Sequence, residues 1–382
     1  MHLATDVEAI EFEGCLLLVG QRRQMLLILN QTARIVWEAM RAGVEADEMA
    51  ALLSRSYGIP PARAREDVTA LLDQWRGHDL LDTGADQSPA APHRAGRGAA
   101  PGAARRRDVA VQRVYNPCGT AFRLAVEPPD LQRWLDGLLG HTEAPGLAPP
   151  DLIELFSDGD MHVLTQNGTE RQRSAEVDLA AGAVVRAICD LSYPDADWSL
   201  FMHAAAVGSG DDAIVLAGPN GTGKTTLTAA LIRAGFDYFS DDVVPFDCRG
   251  MRIWPIPFAL SVKEGSWPTL AGLYPILDGL PVFDAGARKV RFLPPLERAI
   301  RHTDASVRAL VFPRFRPKQR FALERLAPIE ALVDLIGASR PLALDRRRLH
   351  RTLAWVRVVP AYRLTYTNLT DATEVIQGLF SD

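Results

Sequence analysis

Apolar residues recur with two periods along this chain. Near the N-terminus, Ile10-Glu11-Phe12-Glu13, Cys15-Leu16-Leu17-Leu18-Val19 and Met25-Leu26-Leu27-Ile28-Leu29 read as three short strands with tight connections at Gly14 and Gly20. The period then lengthens. Asn30 is placed to cap a helix in which Thr32 to Met40 carries apolar residues at helical spacing. Two more helices are predicted near Ala46 to Tyr57 and Pro60 to Trp75, the second entered through Pro60-Pro61. A β-ribbon followed by three helices gives residues 1–83 a winged-helix character.

From residue 108 onward strands and helices alternate, which predicts an α/β fold rather than a helical bundle. Thr120 to Val126 and Asp151 to Phe156 read as strands, Asp130 to Leu139 and Asp178 to Leu191 as helices. They predict a small lead-in subdomain over 108–197 that completes the sheet of a core spanning 198–382. In that core, Ala213 to Ala217 is a buried strand, Leu227 to Ala234 a helix, Ala309 to Phe312 a strand and Ile329 to Ile336 a helix. A further helix lies within Arg340 to Val356, then a strand at Ala361 to Tyr366 and a last helix from Asp371. No internal repeat is visible.

Between the two parts, Gly84 to Arg107 is rich in Pro, Ala, Gly and Arg with hardly a large apolar residue, the composition of a flexible linker. Its 24 residues, at roughly 5–6 Å per root residue, give a mean span of ~27 Å. The apolar content of 47% over 382 residues suffices for one small and one larger core. A net charge of −5 argues against a nucleic-acid partner, and residues 1–83 carry 13 acidic side chains against eight Arg and no Lys. Cys15, Cys118, Cys189 and Cys248 stand apart, which indicates neither a zinc site nor a disulfide framework. With no signal peptide and no apolar run of membrane-spanning length, the expectation is a cytoplasmic protein without a membrane partner.

The chemistry concentrates in Gly218-Pro219-Asn220-Gly221-Thr222-Gly223-Lys224-Thr225-Thr226, which matches G-x-x-x-x-G-K-[ST] between a predicted strand and a predicted helix. Gly218, Gly221 and Gly223 let the backbone approach an anion, and the helix N-terminus adds unpaired N–H donors. Lys224 is then a point charge for the β- and γ-phosphates of ATP, and the Thr225 hydroxyl a ligand for Mg²⁺. Thr226 either donates to the α-phosphate or opens the helix. Asp241 and Asp242 follow within one helix length, in or at the end of a strand, where alternation gives them separate tasks: one toward the metal, the other accepting the proton of an attacking hydroxyl. His203, in an apolar run on an adjacent strand, is either a core histidine or a third member of the site.

The order His203, Gly223-Lys224-Thr225, Ser240-Asp241-Asp242-Val243-Val244 resembles the catalytic core of the HPr serine kinase group, similar in fold to ATP-dependent phosphoenolpyruvate carboxykinase; the likeness is good over roughly residues 198 to 265. The resemblance implies Asp242 as catalytic base, Asp241 as the metal-side partner and His203 beside the transferred phosphate. Phe258 to Gly265 is similar to a loop of related proteins, with Lys263 and Glu264 either reaching the site or forming a solvated turn. Lys289 and Arg291 either clamp phosphate or belong to a basic surface strand. The glycine-rich segment tied in those kinases to hexamer function is absent, which leaves the oligomeric state, a homo-oligomer included, and the reverse reaction open. An ABC transporter ATPase shares the loop, but no Leu-Ser-Gly-Gly-Gln signature occurs.

Leu29-Asn30-Gln31-Thr32-Ala33-x-x-Val36-Trp37, with Val68-x-x-Leu71-Leu72 and Leu80-Leu81, resembles PqqD-like peptide-recognition domains over about 80 residues. That resemblance implies capture of a leader peptide on an exposed sheet edge. The fold expected is therefore an HPr kinase-like P-loop domain of the α/β class preceded by a small PqqD-like winged helix. The activity expected is that of an ATP- and Mg²⁺-dependent kinase acting on a Ser or Thr of a ribosomally made precursor peptide, as in lasso-peptide tailoring kinases, which this architecture resembles. An ATP-gated delivery module, or a kinase for a folded protein or a metabolite, is the alternative.

Overall fold

The computed structural model describes residues 2–3, 7–20, 25–78, 80–82, 112–285, 288–338 and 346–381. The predicted linker, 84–107, and the start of the predicted Arg340–Val356 helix lie outside them. The chain divides into two compact units, Met1–His93 with Pro341–Leu353, and Arg94–Arg340 with Ala354–Asp382.

In the first unit, strands Val7–Phe12, Cys15–Gly20 and Met25–Leu29 form an antiparallel three-stranded sheet in sequence order. The second strand, paired on both sides, is the buried one; the third is apolar at every position but mostly half-buried, since it lies at the edge. Asn30 has an extended backbone and its Oδ1 accepts from Ala33 N at 2.8 Å, which starts helix Gln31–Arg41. Helices Ala46–Tyr57 and Pro61–Gly77 follow. Trp37 and Trp75, both nearly fully buried, meet edge to face with centroids 5.6 Å apart at the centre of this core.

In the second unit, a six-stranded sheet runs in the order Asp237–Ser240, Ala204–Ser209, Asp212–Ala217, Ser306–Phe315, Ala361–Tyr366, Ala322–Arg325. Asp212–Ala217, Ser306–Phe315 and Ala361–Tyr366 are parallel neighbours, so their C-terminal ends open on the same edge. Leu227 and Leu231 of helix Lys224–Arg233 and Ala372 and Ile376 of helix Leu369–Ser381 pack on Ile214, Leu216 and Val311 of this sheet.

The lead-in region does not complete that sheet, contrary to the expectation. It builds its own, ordered Thr169–Ser174, Met161–Gln166, Leu152–Asp158, Phe122–Val126, Gln112–Tyr115, and covered by helices Pro129–Leu139 and Val177–Ser192. Its strands pair with one another instead: a hairpin turn at Asn167-Gly168, both left-handed at φ 52° and 76°, joins Met161–Gln166 to the outermost strand, Thr169–Ser174. Thr169–Ser174 is polar throughout and gives no hydrophobic signal. A separate three-stranded sheet is ordered Leu260–Lys263, Arg288–Leu293, Phe283–Ala285, and Trp198–Met202 pairs with Val244–Asp247 in a two-stranded one. No helix among the described residues is long and apolar enough to cross a membrane.

Candidate active site

The buried strand Asp212–Ala217 ends at Gly218, and the chain turns into helix Lys224–Arg233. Thr222 Oγ1 donates to Pro219 O at 3.1 Å, closing the loop on itself. Its last residue, Gly223, has φ 100°, and Tyr366 Oη donates to its carbonyl at 3.3 Å. Lys224 is 6% exposed. Its Nζ donates to Gly218 O at 2.6 Å and Pro219 O at 3.2 Å. Burial pushes its pKa down, opposed by the charges of Asp241 and Asp242.

Strand Asp237–Ser240 delivers the two carboxylates just past its end, where Asp242 takes φ 75°. A non-glycine residue held there is strained, and the strain separates two neighbouring side chains into different environments. Asp241 is buried, accepting from Thr225 Oγ1 at 3.1 and 3.0 Å and from Ser261 N at 3.2 Å. Burial, then the charge of Asp242, raises its pKa to about 7. Asp242 is partly exposed and borders the cavity that Lys224 borders. His203 stands between strands Trp198–Met202 and Ala204–Ser209, with Nδ1 3.0 Å from Asp242 O and Nε2 3.2 Å from Asn220 Oδ1. Burial and Lys224 lower its pKa. Lys263 Nζ donates to the same Asn220 oxygen at 3.1 Å.

Part of this set meets at one cavity of about 760 Å³; Asp241 and His203 do not line it but sit behind Thr225, Ser261, Asn220 and Asp242, which do, and Gly218 and Thr222 do not line it either. Asn220, Gly221, Gly223, Lys224, Thr225 and Thr226 form one wall and Asp242 borders it; Ser261, Lys263, Glu264, Ser266 and Arg288 border it as well. Phe315, Tyr366 and Leu369 supply an apolar side. Thr226 Oγ1 lies 2.7 Å from Ser266 Oγ. Lys289 and Arg291 do not line the cavity. Arg291 bonds Asp278 at 3.1 Å and stacks over Trp267, and Lys289 pairs with Asp284 across the hairpin. Strand alternation puts Arg288, one residue earlier, on the cavity side instead. The sequence reading thus missed Arg288 and Ser261 by one or two positions in strands whose period could have given them. Phe315 and Tyr366 arrive through long-range packing, for which no local signal exists.

Among the described residues no group of three His, Cys, Asp or Glu could hold a metal ion. The Thr225 hydroxyl and the Asp241 carboxylate, in contact with one another, are hard oxygen donors of the kind that suits Mg²⁺.

Residues 15–81 match the family described as coenzyme PQQ synthesis protein D (PqqD). The first unit carries a PqqD domain. Among curated proteins there is no match. Among solved structures the chain is similar to TbiB1 in complex with the TbiA(beta) leader peptide, at 16% identity over 22% of this chain and 100% of that one, with a TM-score of 0.21. It is also similar to the HPr(Ser) kinase/phosphatase from Coxiella burnetii, at 12% identity over 47% of this chain and 93% of that one, with a TM-score of 0.24. In the PqqD domain, strand Met25–Leu29 is paired among the described residues on one side only, by Cys15–Gly20. The opposite edge strand carries Glu11, which is tied to Arg34 of the first helix at 2.7 Å, while Arg34 also holds Glu38 at 2.8 Å.

Proposed function

We propose that this chain is an ATP- and Mg²⁺-dependent kinase that phosphorylates a Ser or Thr hydroxyl of a ribosomally made precursor peptide, held through its leader by the PqqD domain. One observation carries the reading: Thr225, at the start of the loop helix, is hydrogen-bonded to Asp241 while Asp242 borders the same cavity as Lys224. A loop of this form cradles phosphates with backbone N–H groups, and Lys224 would exchange the Gly218 and Pro219 carbonyls for β- and γ-phosphate oxygens. Bound Mg²⁺, held by Thr225 with Asp241, would supply neutralisation of the phosphate charge.

Asp242 accepts the proton of the acceptor hydroxyl as its oxygen bonds to the γ-phosphorus. The bond from that phosphorus to the bridging oxygen breaks, and ADP leaves with the electron pair. The imidazole of His203, with its single N–H able to donate either to the Asp242 carbonyl or to Asn220 Oδ1, sits between the base and the loop and holds them in register. Phe315 would lie against the nucleobase, since it faces the cavity and is 43% exposed. The edge of Met25–Leu29 that no described strand covers supports peptide capture, because an added strand gains backbone hydrogen bonds there.

The test is mass spectrometry of a precursor peptide after incubation with the protein, ATP and Mg²⁺. Phosphopeptide is expected with wild type and lost with Asp242→Asn. Normal transfer by Asp242→Asn removes the proposed base, and the mechanism with it.

A further inference from the structure

Strand Leu260–Lys263 alternates strictly. Leu260 and Val262 are buried in an apolar cluster with Leu270 and Leu277, while Ser261 and Lys263 border the cavity. Ser261 is 4% exposed, and its backbone N–H is used on Asp241 Oδ2 at 3.2 Å. Its Oγ, by contrast, is buried with no hydrogen-bond partner. Buried hydroxyls are nearly always paired, because leaving one unpaired costs the full desolvation of the group. A strand that needed only a small filler at this position would be better served by alanine.

The neighbours say what the hydroxyl is for. Thr225 Oγ1 grips the Asp241 carboxylate, Ser261 N grips it too, and both residues border the cavity. Thr225 and Ser261 lie on the cavity wall with the Asp241 carboxylate buried behind them; the Thr225 hydroxyl and that carboxylate are satisfied within the protein and the Ser261 hydroxyl is not.

We propose that Ser261 is a ligand-contacting residue of this site, its Oγ hydrogen-bonded to an oxygen of the metal–nucleotide complex, either a phosphate oxygen or a water carried on the cation. The inference rests on the kinase reading and adds to it a residue that no motif marks. Ser261 then belongs with Thr225 and Asp241 in setting the triphosphate, and its backbone and side chain do separate work: N–H on the carboxylate, hydroxyl on the ligand.

Ser261→Ala removes the hydroxyl and leaves the N–H on Asp241 intact. In the full chain, the ligand-free melting temperature is expected to stay or rise, since an unpaired buried oxygen is gone. Affinity for Mg-ATP, by titration calorimetry, is expected to fall about tenfold, the equivalent of one hydrogen bond to a charged ligand. Titration with ATP in EDTA separates the two sources: a loss that persists assigns a phosphate oxygen, a loss confined to Mg²⁺ assigns its water. Unchanged affinity in both arms, or a ligand-free melting temperature lowered by several degrees, overturns the assignment of Ser261 and leaves the kinase reading standing. A wild-type protein that binds no nucleotide overturns both.

Discussion

Gly223 is the residue on which the geometry of the loop turns. Its φ is 100°, and a Cβ there would lie 2.2 Å from Tyr366 Oη and 3.4 Å from both Tyr366 Cζ and Phe315 Cβ. The same tyrosine donates to Gly223 O, and Phe315 N donates to Thr222 O at 3.1 Å, so the ends of two neighbouring parallel strands clamp the loop. Gly223→Ala puts an L-residue in the left-handed region, at about 1–2 kcal/mol. It also expels the Tyr366 hydroxyl, losing a hydrogen bond of about 1 kcal/mol, and shifts a ring that is 1% exposed, at about 1–3 kcal/mol. The total is about 3–6 kcal/mol, which at about 2–4 °C per kcal/mol for a domain of this size lowers the melting temperature by about 10 °C. Tyr366→Phe removes the atom at 2.2 Å and leaves only ordinary ring contact. In that background Gly223→Ala should cost little beyond its backbone, so the four-protein cycle should show a coupling of about 2 kcal/mol. Calorimetric or denaturant melts measure it. Additivity within about 0.5 kcal/mol would refute the clamp.

Three further outcomes follow from particular groups. Burial, and secondarily Asp242, raises the folded-state pKa of Asp241 to about 7. Because the folded protein then holds this proton more tightly than the unfolded chain, its stabilisation is complete below about pH 4 and is lost as pH rises through about 7. The ligand-free melting temperature should therefore fall between about pH 4 and 7 and level off above, less so in Asp241→Asn, and equal pH profiles for the two would contradict this. Phe315→Ala should raise KM for ATP about tenfold with kcat little changed, since stacking on the base is uniform binding; steady-state kinetics decide, and an unchanged KM removes Phe315 from the base site. Asn30→Ala deletes the cap of helix Gln31–Arg41 and should cost about 1 kcal/mol, read as about fivefold faster amide exchange in the first turn. Unaltered exchange would mean that packing of Trp37 alone holds the helix.

What the sequence made legible was whatever is local. The Asn30 cap, the helices after it and the apolar strand before Gly218 are specified by residues within a few positions of one another, and they stand where periodicity and capping put them. The polar strand Thr169–Ser174 was not legible by period, although Asn167-Gly168 before it is a hairpin signal in its own right. At the cavity, Thr225 and Asp241 lie 16 positions apart, and a strand after a helix brings them together in a way the order of elements suggests. Tyr366 lies 143 positions from Gly223, and only the parallel pairing of Ala361–Tyr366 beside Ser306–Phe315 carries it there.

The arrangement of charge in the cavity explains why the site holds together before any substrate enters. An ammonium and a carboxylate buried in apolar surroundings would each be costly alone. Lys224 is satisfied by two carbonyls of its own loop, and Asp241 by a hydroxyl and an N–H, with its affinity for a proton raised. On the kinase reading these are the positions that phosphate oxygens and a divalent cation would take over. Binding then exchanges one set of satisfied partners for another rather than filling unmet valences, so the net affinity is a difference between comparable terms. Without a cation that difference would be small, because phosphate oxygens placed beside carboxylate oxygens meet acceptors like themselves. It would become favourable if a cation came with the phosphates and took the place of the proton that Asp241 holds, which would tie nucleotide binding to metal and to pH through a single carboxylate.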